Sequence, residues 1–162
     1  SRMLHEELRT ILDQSITTVK QISWELTPEA FQYSGLSASV ESLCRRLDGK
    51  NMQVIFEETE AHVWKGKRAL VVYRIIQELV SNSIKHSEAE WLRVAFAWSP
   101  SQLMVDVIDN GIGFSVEEKR NGVGWWNIQH RADSIHALIQ LGEIPTGRGA
   151  HVTLHIPLDD EK

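Results

Sequence analysis

The stretch from Glu78 to His86 reads ELVSNSIKH, and it limits what the rest of the chain can build around it. The apolar spacing from Lys67 to Lys85 predicts one long helix, with Leu70, Tyr73, Ile76, Val80 and Ile84 turned inward. On that helix Glu78, Asn82 and His86 stand at i, i+4 and i+8, so they share a face. A buried polar group without a partner costs about 1–3 kcal/mol. A carboxylate, an amide and an imidazole in one stripe therefore face either solvent or a polar ligand.

Around this helix the pattern changes period. Gln53 to Glu57 reads as a strand. Leu92, Val94, Phe96 and Trp98 alternate, as do Leu103, Val105 and Val107, and Ser99-Pro100-Ser101 between them predicts a hairpin turn. A helix from Gly124 to Ala137 follows. Two more strands are expected over Ala137–Gly142 and Ala150–Pro157, the second with Val152, Leu154 and Ile156 alternating. Upstream, Leu4, Leu8, Ile11, Val19, Ile22 and Leu26 set a narrow stripe on a helix from Met3 to Leu26. That helix is expected to end at Thr27-Pro28, because the residue before proline disfavours helical backbone. A second helix is expected from Ser37 to Leu47, stopped by Asp48-Gly49. Two hairpins with helices between them predict an α+β two-layer sandwich.

Composition narrows the function classes. The 162 residues suit one domain with an appendage, and a formal charge of -5 argues against direct nucleic-acid binding, which favours a basic footprint. The single cysteine, Cys44, excludes an internal disulfide and agrees with a reducing, cytoplasmic compartment. No apolar run in the sequence is long enough for a transmembrane helix.

Three glycine-bearing stretches carry the remaining signal: Asp109-Asn110-Gly111-Ile112-Gly113, Gly122-Val123-Gly124 and Gly147-Arg148-Gly149. None is a P-loop or a dinucleotide fingerprint. The second precedes a helix, whose free N–H groups attract phosphate. Asp109 ends an apolar strand, where a carboxylate accepts a hydrogen bond from an amino group. Each stretch alone reads equally well as a turn.

Taken in order, ELVSNSIKH, DNGIGF, GVG at a helix start and GRGA in a final hairpin resemble the Bergerat ATP-binding fold. Histidine kinases, gyrase-type ATPases, Hsp90-type chaperones and MutL-type repair proteins share it. The resemblance runs from Val54 to Leu158 and implies a mixed, largely antiparallel sheet, here preceded by the long amphipathic helix. Three further features look like the histidine kinases that work with LuxR-type response regulators. These are the form ELVSNSIKHS, the junction-like segment from Ile22 to Leu43, and the short lid from Ser115 to Asn121.

The resemblance implies a role for each residue. Asn82 would hold Mg²⁺, and Glu78 would position or activate the attacking group. Lys85 and His86 would face the phosphates of ATP. Asp109 would read the adenine amino group, with Gly111 beside it and Gly113 leaving room for the ring. Gly122, Val123 and Gly124 would border the triphosphate, and Thr153 would reach the adenine pocket. Two departures stand out. Trp125-Trp126 follows GVG where the family carries small or aliphatic residues, and Gly149-Ala150 stands where it carries glycine-threonine.

His5 resembles a phosphoacceptor in its leucine-histidine-acid setting, yet about twenty residues separate it from Thr27-Pro28. Each helix of a dimerisation hairpin needs about that many at ~1.5 Å per residue. Residues 1–27 are therefore expected to be the second hairpin helix, and 28–162 the ATP-binding domain. The resemblance implies a homodimer in the full-length protein and leaves a membrane anchor there open. An anti-sigma-factor-like serine kinase, or a nucleotide-binding interaction module without turnover, stays open as the alternative.

Overall fold

The computed structural model describes residues 2–12, 28–113, 123–142 and 148–158. Helix α1 covers residues 2–12, and its apolar residues Met3, Leu4, Leu8, Ile11 and Leu12 are exposed. The rest of the expected Met3–Leu26 helix lies outside the described residues. The order continues with α2 (Pro28–Leu47), β1 (Gln53–Glu58), α3 (Lys67–His86), β2 (Trp91–Trp98), β3 (Gln102–Asp109), α4 (Val123–Ser134), β4 (Leu138–Leu141) and β5 (Ala150–Pro157).

Helix α2 begins nine residues before the expected Ser37, with Pro28 as its first residue. Proline suits that position, since its missing N–H has no intrahelical partner there. The helix is broken at Gly35, where φ is 82° and ψ is 179°. There the Leu36 N–H donates to Trp64 O at 2.9 Å, so the chain crossing to α3 replaces the helical acceptor. A Cβ on Gly35 would stand 3.2 Å from that same carbonyl.

The five strands form one sheet in the order β1-β2-β3-β5-β4. The strands joined by hairpins are antiparallel as expected, while β1 and β2 are parallel because α3 crosses between them. The sheet is thus mixed and largely antiparallel, with α2, α3 and α4 packed on it in a two-layer α+β sandwich.

Register explains how the core leads to the site. Across β2, β3 and β5 the helix-facing rows are Trp98–Leu103–Ile156, then Phe96–Val105–Leu154, then Val94–Val107–Val152. The next row is Leu92–Asp109–Ala150. A carboxylate thus occupies a core position, 2% exposed, at one end of an apolar ladder. Ile84, expected inside, is 39% exposed.

Candidate functional site

Helix α3 ends beside the end of β3, and the two are tied together at several points. Ser83 Oγ donates to Asp109 Oδ2 at 2.8 Å. Within the loop, the Gly111 N–H donates to Asp109 Oδ1 at 2.9 Å. The Ile112 N–H donates to Ser87 O at 2.7 Å, and Ser87 Oγ donates back to Ser83 O. Asn110 Oδ1 accepts from the N–H groups of Glu90 and Trp91 at 2.9 and 3.0 Å, capping the start of β2. Gly111 touches the Ser87 carbonyl so closely that a Cβ there would lie 2.0 Å from its oxygen. The DNGIG turn is therefore held by its backbone contact with α3, and the Asp109 carboxylate is oriented by one donor on each oxygen.

The polar stripe turns the other way, toward α4. A Cβ built on Gly124 would meet Glu78 Oε1 at 2.8 Å and Asn82 Nδ2 at 3.8 Å. The first turn of α4 thus lies directly against this pair, and a side chain at 124 would displace the Glu78 carboxylate. Glu78 and Asn82 are half-buried, and Lys85 and His86 are exposed on the last turn of α3. The Lys85 ammonium there complements the negative end of the helix dipole.

Gly113, with φ 76°, stacks on Gly149, whose carbonyl oxygen would lie 2.7 Å from a Cβ at 113. Gly149 in turn presses on the Asp109 carbonyl, so the turn before β5 closes over the end of β3. Val123 opens α4, while Gly122 lies outside the described residues.

The structure thus brings Glu78, Asn82 and Gly124 together, and separately Asp109, Gly111, Gly113 and Gly149. Thr153 belongs to neither group. It pairs in register with Asp106 and donates to Asp106 Oδ1 at 2.7 Å, three residues along β3 from Asp109 and so on the opposite sheet face. His151 shares that face, with Nε2 2.7 Å from Asp106 Oδ1. Sequence reasoning passed over Ser83, although Ser83 and Ser87 stand one turn apart beside Asn82. It also passed over Asn110, whose capping role depends on where β2 starts.

The two tryptophans after GVG divide. Trp125 packs against the core, whereas Trp126 is 62% exposed and stacks on His130, ring centroids 5.0 Å apart.

This arrangement is the α+β sandwich of the histidine kinase ATP-binding domains. Over residues 67–160, more than half of its length, the chain matches the family described as histidine kinase-, DNA gyrase B-, and HSP90-like ATPase, and it belongs to that family. Among solved structures it is similar to the histidine kinase domain of the Erythrobacter litoralis EL346 blue-light activated histidine kinase. Identity there is 20%, with 76% of this chain and 61% of that one covered and a TM-score of 0.64. It is similar to the Acinetobacter baumannii histidine kinase AdeS at 17% identity, over 94% and 84% of the two chains, with a TM-score of 0.67. Full-length ShkA in complex with AMPPNP matches at 17% identity over 77% of this chain and 30% of that one, TM-score 0.59. At these identities the likeness is one of fold, and the chain spans only part of the length of the first and third of these proteins.

Proposed function

We propose that this chain is the ATP-binding catalytic part of a sensor histidine kinase. The observation that carries the reading is Asp109. A carboxylate on the last rung of an apolar ladder, 2% exposed, is costly to bury, and here one donor on each oxygen offsets that cost and orients it. Each carboxylate oxygen accepts more than one hydrogen bond, so Asp109 keeps acceptor capacity for the amino group of adenine.

The phosphate end of the nucleotide belongs between α3 and the start of α4. Helix N-terminal N–H groups there favour anions. The close approach of Gly124 to Glu78 and Asn82 supports placing a phosphate group and its cation beside this pair. An amide oxygen from Asn82 is a hard ligand of the kind Mg²⁺ accepts, and this ion usually takes few protein ligands and several phosphate or water oxygens. When bound, it neutralises charge on the transferring phosphoryl group. Glu78 lies one turn before Asn82 and serves to orient the attacking group.

The acceptor in this reading is a histidine upstream of Ser1. In this reading residues 1–27 belong to a dimerisation hairpin, as its second arm, and residues 28–162 to the ATP-binding domain. The exposed apolar stripe of α1 supports a helical partner, hence a homodimer of the full-length protein. The ELVSNSIKHS form and the short Ser115–Asn121 segment support pairing with a LuxR-type response regulator, whose aspartate receives the phosphoryl group. No helix among the described residues is long and apolar enough to cross a membrane, and the reading places this domain in the cytoplasm.

Calorimetric titration with ATP, with and without magnesium, tests the assignment. The parent chain should bind, with magnesium strengthening the affinity. Asp109→Ala should weaken it about tenfold or more, the value of a hydrogen bond to a charged group. An unchanged dissociation constant in the variant removes Asp109 from the base site.

A further inference from the structure

Asp109 is held by two donors of different kinds. Oδ1 takes the Gly111 N–H, a backbone group of its own turn. Oδ2 takes the Ser83 hydroxyl, a side chain from α3. Across the sheet the register partner of Asp109 is Ala150, 8% exposed, which offers a methyl group and no donor. The wall of β5 therefore leaves Asp109 without a hydroxyl, and α3 supplies one.

We propose that Ser83 is a positioning residue for base recognition. Its hydroxyl fixes the plane of the Asp109 carboxylate, so that this acceptor is aimed at the amino group of a 6-aminopurine before the nucleotide arrives. The inference rests on the ATP reading above and deepens it.

Three observations favour this role. First, the terminal torsion of an aspartate is broad and roughly two-fold, so one donor on one oxygen leaves the carboxylate free to turn. The second donor, on Oδ2, removes that freedom, and ordering completed before binding is not charged to affinity. Second, the hydroxyl is itself pre-placed. The Ser83 carbonyl accepts from the Ser87 N–H at 3.1 Å and from Ser87 Oγ, while the Ser87 carbonyl holds the Ile112 N–H. Helix end and turn thus form one block in which the Ser83–Asp109 distance is set. Third, Ser83 is not there for the helix. Serine is a poorer helix former than alanine, because its hydroxyl competes for nearby backbone groups. Here that hydroxyl reaches across to a strand.

The consequence is selectivity as well as affinity. Adenine presents a donor to Asp109, whereas the base of inosine triphosphate presents a carbonyl at the same place. An aimed carboxylate rewards the first and gains nothing from the second.

The test is a pair of titrations, ATP and inosine triphosphate to millimolar concentration, on the parent chain, Ser83→Ala and Ser83→Thr. In Ser83→Ala, ATP affinity should fall about fivefold, the effect of one hydrogen bond, while inosine triphosphate affinity should stay within about twofold. Ser83→Thr keeps the hydroxyl and should hold ATP near the parent value. Equal weakening of both nucleotides in Ser83→Ala would mean that Ser83 only ties helix to turn, and it would overturn the proposal. So would an unchanged ATP affinity, or a threonine variant as weak as the alanine one. A parent chain that binds neither nucleotide overturns the ATP reading itself, a result that these variants cannot mimic.

Discussion

Two carboxylates face the helices from opposite ends of the same sheet, and they are treated differently. Glu58, near the end of β1, sits on the row of Phe96, while Asp109 sits on the row of Leu92. Each accepts a hydroxyl from a helix: Ser37 of α2 donates to Glu58 Oε2 at 2.6 Å, and Ser83 of α3 donates to Asp109 Oδ2 at 2.8 Å. Their surroundings then diverge. The same oxygen of Glu58 also takes the indole N–H of Trp98 at 2.8 Å, and that indole is stacked on His62 and edged by Trp64 and Phe96. Around Asp109 the neighbours are Gly111, Gly149 and Ala150. One end lays aromatic rings against a half-buried carboxylate, and the other surrounds a buried one with backbone. Bulk marks the end built for stability, and its absence marks the end built for a ligand.

The largest expected effect attacks the glycine end. In Gly111→Ala the new Cβ would lie 2.0 Å from the Ser87 carbonyl oxygen, so the turn must leave α3. That breaks the Ile112–Ser87 bond and takes the Gly111 N–H away from Asp109. ATP affinity should fall at least a hundredfold, and stability by about 3 kcal/mol, the range typical of steric damage in a packed region. Calorimetry with ATP and thermal unfolding measure the two. Parent-like affinity would show that the turn does not need its seat on α3.

The aromatic end should separate the two quantities. Trp98→Ala removes the roof over Glu58 and the ring contacts of His62, Trp64 and Phe96. Truncating a large core aromatic costs about 3–5 kcal/mol; this indole is only half-buried, so the lower figure applies. For a chain of this size that is a fall of roughly 9 °C in Tm. ATP affinity should stay within about twofold, because the rows of Val94 and Phe96 lie between Trp98 and the row of Asp109. A matching loss of affinity would make the two ends one unit and dissolve the contrast.

The sequence shows the two ends unequally. The strands were legible because period-two alternation of Leu92, Val94, Phe96 and Trp98 has no helical reading, and α3 because its stripe runs for twenty residues. A mixed sheet was expected from the resemblance, but not that β1 and β2 are its parallel pair, since that depends on where α3 carries the chain. Helix α2 was started late because Pro28 reads equally as a stop for one helix and a start for the next. The site motifs named Asp109, Glu78 and Asn82, yet they could not show that Ser83 reaches Asp109, a contact between residues 26 apart. Thr153 was misplaced for a reason the sequence contained. Val152, Leu154 and Ile156 alternate inward, so Thr153 between them points to the other face, where it meets Asp106.

The smallest effect concerns pH and acts through α2, away from the Asp109 end. Cys44 is 1% exposed on α2, and burial, aided by the charge of Glu41, pushes its thiol from 9.0 up to about 12. Below the unfolded value the thiol is protonated in both states and adds no pH dependence. Between about 9 and 12 the unfolded chain gives up this proton while the folded chain keeps it, so stability falls as pH rises through that window. From pH 8 to 10 the parent should lose about 1 kcal/mol more than Cys44→Ala, whose small cavity gives an offset that does not vary with pH. Denaturant unfolding at the two pH values, parent against variant, measures that difference. The ATP affinities of parent and variant should keep a constant ratio over the same range, because Cys44 lies in the core beneath α2 and not among the groups around Asp109. A ratio that drifts with pH would carry the thiol's ionisation into the nucleotide site and join the two ends. Parallel stability curves would instead mean that α2 opens enough for Cys44 to ionise without unfolding.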